Sequence, residues 1–490
     1  MPMLFIGLDI GSSSIKGSLF DAAQSKILRR VRFPEKDMLI SSPAPGMAEQ
    51  DPDLWWQGVR QVIQALMLGQ NSAQLKGIGI IYQMHGLVCV DENLELIRPA
   101  IIWCDSRAID IGREAKSKLP KEIIQNNTLN IPGNLTASKL AWVKKYEPEN
   151  YKQIYKILLP GDYIATKLSN ECTTTESGLS EMALWDFNAK SLSDDLINYF
   201  DFSPSLIPEI KHNVDIQARV SDQVAKELNI EAGTPISFRA GDQVGNAFAL
   251  NVVNVGEAAC NAGTSGVLYG VHSNHIGDLE GRFNSLLHAA PKGDEEKLGY
   301  LLCINGCGIL YSWLRNNLFP NKTYDELNQL AENASNGIDD LFVFPYGNGA
   351  ERSLYNKIVG GHFSNIDFNR HSINHLLKAS IEGIAFSFRL GLDILNNQGI
   401  HFDKLKAPYA NLMKSDFFTQ TLTDITEIPI ERSYTEGADG AARGAAVGSG
   451  NCNLSEVFSS LETQALFTAK HNSSLQEKYE EWKEKLMKLS

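Results

Sequence analysis

One hairpin, present twice, constrains this chain more than any other feature. In the first copy, Leu4 to Ile10 is an apolar run with a single carboxylate, Asp9, near its end. A turn of Gly11, Ser12 and Ser13 comes next, and the chain resumes as a strand from Ser14 to Asp21. In the second copy, roughly 250 residues downstream, Gly256 to Ala262 reads as a strand, Gly263-Thr264-Ser265-Gly266 as a turn and Val267 to Val271 as the returning strand. A strand that returns as a strand excludes two common nucleotide motifs. A P-loop needs Gly, four residues and Gly-Lys-Ser/Thr opening a helix, and a Rossmann turn needs G-x-G-x-x-G opening a helix. What remains is a tight turn offering backbone N–H groups and the hydroxyls of Ser12, Ser13 and Ser14, with Lys16 close behind. Such a concave set of donors suits phosphate oxygens, and Asp9 beside it can hold a hydrated divalent metal. The plainer alternative is an ordinary Gly-Ser hairpin whose Asp bonds its own turn. Two copies imply a duplicated fold, with two phosphate-facing turns meeting across a cleft and a boundary near Asn251–Asn254 that divides the chain into 1–250 and 251–490.

Length agrees with that division, since 490 residues exceed what one ordinary core holds. A net charge of −13 argues against nucleic acid and against an anionic membrane surface as partners. It leaves room for a nucleotide, which needs only a local positive site and a metal. No apolar run approaches the ~20 residues of a membrane helix, and the N-terminus lacks the basic region of a signal peptide. Seven scattered cysteines give no disulfide framework, and Cys303 and Cys307 lack the second pair that would complete a zinc site. A cytoplasmic location is the expectation.

Polar residues recur where apolar runs end. Asp51-Pro52 starts a helix, Asp as cap and Pro at the first position. Its apolar stripe is Leu54, Trp55, Val59, Val62, Ile63 and Leu66. A buried strand, Lys76 to Tyr82, runs into Gln83-Met84-His85-Gly86, and a further strand, Arg98 to Trp103, runs into Cys104-Asp105-Ser106-Arg107. Pro235 to Ala240 runs into Gly241-Asp242-Gln243 and a small-residue helix. In open α/β sheets that edge is where ligands bind. The segment Thr173 to Asp186 is polar and turn-rich and has no clear element. Further helices are expected at 308–317, 372–396, 417–425, 437–447 and 473–488.

Nine motifs in this order resemble the FGGY family of carbohydrate kinases, with the xylulokinase branch the most similar. They are Gly7 to Lys16, Glu49-Gln50-Asp51-Pro52 before Trp55-Trp56, Gln83 to Gly86, Trp103 to Arg107, Lys139-Leu140-Ala141-Trp142, Leu158 to Tyr163, Gly241-Asp242-Gln243, Gly263 to Gly266, and Glu351-Arg352. The resemblance covers nearly the whole chain. It implies an α/β fold of duplicated actin-like ATPase (ribonuclease H-like) domains, sugar-binding before residue 250 and nucleotide-binding after. It implies ATP as co-substrate, Mg²⁺, a small sugar as acceptor with D-xylulose first, and, by analogy alone, a homodimer.

The resemblance also assigns roles. Asp242 matches the base that takes the proton of the attacking sugar hydroxyl; an N-cap of the following helix is its structural alternative. Met84, His85, Asp105 and Gln243 match the sugar side, although His85 also suits a bond to a backbone carbonyl and Asp105 an ion pair with Arg107. Gly11, Ser12, Ser13, Ser14 and Lys16 match the first phosphate turn, Gly263, Thr264 and Ser265 the second, and Gly308 a close approach to the nucleotide. Asp9 and Asp242 match the carboxylates about Mg²⁺. Departures stand beside these matches. The family's Gly-Gly-Gly turn beneath the nucleotide is Ala410-Asn411-Leu412 here, whose side chains are expected to crowd the approach and lower ATP affinity. Gln243 replaces an Asn, Leu87-Val88 an Ala-Thr and Cys104 a frequent Asn, which bears on the sugar preferred. The alternatives are a related kinase for gluconate, ribulose or glycerol, a non-catalytic sugar binder, and an actin-like or chaperone ATPase.

Overall fold

Two sheets with one wiring plan organise the molecule, a computed structural model that describes residues 2–334 and 340–490. The first contains β1 (Leu4–Ile10), β2 (Ile15–Asp21), β3 (Lys26–Phe33), β4 (Leu75–Tyr82), β5 (Ala218–Arg219) and β6 (Pro235–Gly241). Their spatial order is β5-β6-β4-β1-β2-β3. The second contains β7 (Glu257–Ala262), β8 (Gly266–His272), β9 (Asn284–Leu287), β10 (Leu298–Ile304), β11 (Lys404–Pro408), β12 (Ile430–Ser433) and β13 (Thr463–Phe467), in the order β9-β10-β8-β7-β11-β12-β13. In each sheet an antiparallel meander (β1-β2-β3; β7-β8-β10) is extended on its first strand by parallel neighbours (β4, β6; β11, β12). The repeated hairpin of the sequence is the first turn of each meander. The fold is therefore the duplicated α/β architecture expected.

Burial is set by the pairing. β1 and β4 are central and parallel, so both faces are covered and the strands read as continuous apolar runs. β3 forms an edge and alternates exposed with half-buried residues, with Arg29, Arg30 and Arg32 on it. Helix α1 (Pro52–Met67) is capped by Asp51, whose carboxylate accepts the Asp53 N–H, and it buries Trp55, Val59, Val62, Ile63 and Leu66. Some expected elements are shorter than their apolar runs. The Arg98–Trp103 run is strand only at Ala100–Ile101, because Arg98 turns aside to pair with Glu49 (2.5 Å) and Glu147 (2.8 Å). Thr173 to Asp186 divides into a strand Thr173–Thr175, a helix Glu176–Met182 and a strand Trp185–Asp186.

A late helix crosses to the first sheet. The segment Gly437–Gly448, well past residue 250, lies on β1 and β4. A Cβ at Gly7 would overlap the Ala438 carbonyl, and one at Gly79 the Ala441 carbonyl. The helix meets the sheet backbone to backbone, which only glycine and alanine surfaces allow. Its fully buried Asp439 accepts from the Ser18 hydroxyl (2.6 Å) and from Arg30 (2.7 and 3.0 Å). Gly7→Ala and Gly79→Ala are each expected to cost about 1–3 kcal/mol, the range for overpacked interiors. Equilibrium denaturation measures this; two variants as stable as the parent would refute the close-packed docking.

Candidate active site

Three strand ends meet at one edge of the first sheet. Ile10 is level with Tyr82, and Tyr82 with Gly241. Gly11, Gln83 and Asp242 therefore leave the sheet side by side, with Asp9 one residue inside. Parallel strands lie about 4.8 Å apart, so the backbones at Asp9 and Asp242 face each other across roughly 10 Å. Asp9 pairs in register with Lys16 on β2, and their charged groups are 3.7 Å apart. Asp242 is the first residue of a helix, Asp242–Ala249, and its carboxylate bonds Gln243.

This edge opens into a cleft of 780 Å³ between the sheets. Asp9, Gly11, Ser12, Ser13, Lys16, Gln83, Trp103, Asp242 and Gln243 line it from one side, and Asn261, Ala410, Asn411 and Glu436 from the other. Burial is the largest influence on both aspartates. It raises Asp9, against the lowering effect of Lys16. It raises Asp242 to about 7, with the Asp9 charge adding to the effect. A proton acceptor poised near neutrality thus stands beside a second carboxylate and an ammonium.

Next to the cleft lies a cavity of 540 Å³, lined by Gly263, Thr264, Gly308, Tyr311, Tyr324, Lys414 and Leu412 among others. Asn411 lines both spaces and stands between them. The Tyr311 and Tyr324 rings lie stacked with centroids 6.2 Å apart. The Gly308 N–H donates to the Gly263 carbonyl (3.0 Å), and a Cβ at Gly308 would strike that carbonyl oxygen. Asn411 has φ +50°, the left-handed conformation that a glycine would take and that Asn tolerates. The altered turn leaves space on both sides of it.

Several expected residues lie elsewhere. Ser14 is buried, and its carbonyl closes the turn by accepting the Gly11 N–H (3.2 Å); its hydroxyl is outside the cleft lining. Ser265 likewise lines neither space. Met84 is buried against Gly241 rather than facing the cleft. Asp105 is a correction to the sugar-side reading. It is fully buried, with one oxygen accepting the Ala48 N–H (2.6 Å) and Arg107 Nε (2.8 Å) and the other the Arg107 N–H (2.8 Å). Arg107 continues to Glu49 (2.8 Å). A carboxylate so fully committed braces the loops behind the cleft and has nothing left for a sugar.

His85 is half-buried at the end of the Gln83-Met84 run. Its ring Nδ1 donates to the Glu181 carbonyl (3.1 Å), which fixes the tautomer and leaves Nε2 as an acceptor. Burial, helped by Lys139 nearby, lowers its pKa to about 3, so the ring is neutral. Two participants were not given site roles by the sequence. Trp103 lines the cleft, 55% exposed, with its indole N–H 3.4 Å from the Ser12 hydroxyl; an aromatic at a strand end beside polar residues was the available signal. Glu181, buried behind His85, gave none, because it sits in a seven-residue helix of the segment without a clear pattern.

Asp9 and Asp242 fit a hydrated Mg²⁺. That ion takes one or two carboxylates and completes its shell with water and phosphate oxygens. Two buried acids whose pKa values are raised by desolvation gain from such a cation. Among the described residues no group of three or more His, Cys, Asp or Glu side chains forms a closed metal cage, and no helix is long and apolar enough to cross a membrane. All seven cysteines are free.

Comparison with known proteins agrees with this arrangement. Residues 4–249 match the N-terminal domain, and residues 258–449 the C-terminal domain, of the FGGY family of carbohydrate kinases. The xylulose kinase of Escherichia coli (strain K12) is 27% identical over 444 residues, spanning 90% of this chain and 89% of that one. Among solved structures, a xylulose kinase from Rhodospirillum rubrum superposes with a TM-score of 0.89 at 23% identity, over 99% of each chain. A gluconate kinase from Lactobacillus acidophilus gives 0.89 at 23% identity, over 100% of this chain and 98% of that one. The chain belongs to the FGGY family of carbohydrate kinases and is a sugar kinase.

Proposed function

We propose that the chain transfers the γ-phosphate of ATP to a hydroxyl of a ketopentose, with D-xylulose as the first substrate. The observation that carries the reaction type is Asp242: a buried carboxylate with its pKa near 7, at a strand edge, lining the cleft together with the phosphate-type turn Gly11–Ser13. The attacking sugar oxygen gives its proton to Asp242 as it bonds to the γ-phosphorus, and the bond from that phosphorus to the bridging oxygen of ADP breaks. A base titrating near neutrality suits an alcohol whose own ionisation at that pH is negligible. Lys16 and the Gly11–Ser13 turn supply positive charge and donors for phosphate oxygens, with Gly263 and Thr264 contributing from the other sheet. The cavity lined by Gly308, Tyr311 and Tyr324 offers room for the adenosine, and Asn411 stands between that cavity and the cleft that holds the base. Asp9, beside Asp242, would hold a hydrated Mg²⁺, which would supply charge neutralisation on the phosphates, and the Asp242 carboxylate stays free to take the proton. His85 Nε2 accepts a sugar hydroxyl and Trp103 covers it. Closure of the second sheet over the first, whose layer includes the helix Gly437–Gly448, excludes water.

The choice of D-xylulose rests on curated relatives of that name that span about nine-tenths of the chain. Gln243, Leu87 and Val88 depart from the xylulokinase pattern, and a gluconate kinase superposes equally well, so a sugar acid is the second reading.

ADP release with Mg·ATP, measured over D-xylulose, D-ribulose, D-gluconate and glycerol, is expected to single out D-xylulose. Asp242→Asn is expected to lower kcat by about 10²–10⁴-fold, the usual contribution of a positioned base. Turnover that survives this change, or no turnover on any sugar, would refute the reading. The sugar side has its own pH signature. With its pKa already lowered to about 3, His85 neither gains nor loses a proton as pH rises through the working range. In Asp242→Asn, the His85 ring signals by NMR are expected to stay flat from about pH 5 to about pH 8, whereas sugar affinity itself also follows Lys139, which burial lowers to about 7. A step near pH 6.5, the ordinary imidazole value, would mean that His85 is solvated and protonates.

A further inference from the structure

The His85 backbone is gripped from both sides by buried charged side chains. His85 has φ +60°, an uncommon backbone state for a non-glycine residue and one that surrounding structure must enforce. Its N–H donates to Glu181 Oε1 (3.1 Å), and its carbonyl accepts from Lys139 Nζ (2.6 Å). Lys139 Nζ also donates to the Ile102 carbonyl (3.0 Å), one residue before Trp103. Lys139 comes from the helix Thr136–Tyr146 and is 0% exposed; Glu181 comes from the helix Glu176–Met182 and is 1% exposed.

Neither side chain forms an ion pair among the described residues, which makes their burial expensive. Desolvation lowers Lys139 to about 7, opposed by Asp105, Cys104 and Glu181 and reinforced by Arg107. It raises Glu181 well above the carboxylate range, with Asp162 and Asp242 adding to the effect and the His85 N–H opposing it. An ordinary loop would meet its backbone groups with neutral partners. Here two ionisable groups from two helices converge on the backbone of one residue, one on the peptide before it and one on the peptide after, and the second ties that residue to the neighbouring strand end.

We propose that Lys139 and Glu181 are positioning residues for sugar recognition. Together they hold His85 in its left-handed conformation, and Lys139 locks the His85 and Trp103 loops into one sugar-facing surface. This rests on the sugar-kinase reading, with the sugar between His85 and Trp103. Removal of Lys139 leaves the His85 carbonyl without a donor and uncouples the loops, while the Ile102 carbonyl keeps the Asp105 N–H (3.2 Å). Removal of the Glu181 carboxyl leaves the His85 N–H unpaired. Both changes act on the sugar side and leave the nucleotide path untouched.

The experiment uses the full chain with D-xylulose and Mg·ATP. Lys139→Met and Glu181→Leu are each expected to raise KM for D-xylulose by about 10-fold or more, the cost of an unpaired buried group, with KM for ATP unchanged. Glu181→Gln keeps the acceptor and is expected to restore KM for the sugar to the parent value. Hydrogen exchange of the unliganded protein gives a readout that needs no turnover. Exchange is expected to accelerate at residues 83–88 in both variants and at 101–104 in Lys139→Met, with the turn at 263–266 unchanged. Sugar KM values within about two-fold of the parent in both variants, an unrestored Glu181→Gln, or acceleration spread evenly over the molecule would each overturn the proposal. If Lys139→Met fails to fold, the Glu181→Leu and Glu181→Gln pair still decides it. If the parent chain phosphorylates no sugar in the panel, the kinase reading fails, and the exchange pattern alone tests the clamp.

Discussion

The contact between the helix Gly437–Gly448 and strands β1 and β4 is the constraint on which the site depends. Glycine at positions 7 and 79 lets the helix backbone rest on the sheet, and Gly440 lets it rest on Ala249 at the end of the helix that Asp242 begins. One late element thus touches the strand carrying Asp9, the strand leading to Gln83 and the helix carrying Asp242. The Arg30 and Ser18 bonds to Asp439 fix its register, since a shift by one residue would take that buried carboxylate from both and leave it only Thr435 and the Glu436 N–H of its own segment. The cleft lies where it does because the second half of the chain is anchored to the first at its most closely packed point.

Desolvation is the common electrostatic theme. The protein is acidic overall, yet the groups that matter are governed by burial before any neighbour. Burial is the largest cause of the shift at Asp9, Asp242, His85, Lys139 and Glu181. It moves the acids up and the bases down, so each approaches its neutral form. For Asp242 the result is a usable base at neutral pH. For His85 it is an uncharged acceptor, which suits a polyhydroxy ligand better than an imidazolium would. Lys16 differs: it is 45% exposed and presents its ammonium at the mouth, where a polyanion would meet it.

Much of this was legible in the sequence, and the rest was hidden for a physical reason. The hairpin repeat foretells the shared wiring of the two sheets, because a tight turn between apolar runs fixes an antiparallel pair locally. Asp9, Gln83 and Asp242 are found by looking at the polar residues where apolar runs end, since parallel strands deliver their ends to one edge. Orientation is the property that the pattern does not carry. Asp105 sits at such an end but points inward to Arg107 and Ala48. Met84 packs on Gly241, and His85 beside it takes a positive φ with its ring held on the Glu181 carbonyl, outside the cleft lining. Ser14 belongs to the hydroxyl turn, yet its backbone rather than its side chain closes that turn. Glu181 is invisible because its meaning comes from a residue 96 positions away, and no local periodicity encodes that.

The altered turn at Ala410-Asn411-Leu412 shows how a departure from a family pattern is accommodated. Glycine there serves two ends, a left-handed backbone and an absent side chain. Asn411 keeps the first, at φ +50°, because its short polar side chain tolerates that region. It gives up the second, and its amide now stands 3.5 Å from Asn261 at the junction of cleft and cavity. Leu412, 9% exposed, forms part of the wall of the cavity. The passage therefore carries an amide, a donor and acceptor that can turn to meet a phosphate oxygen, at the point where the cleft and the cavity share a wall.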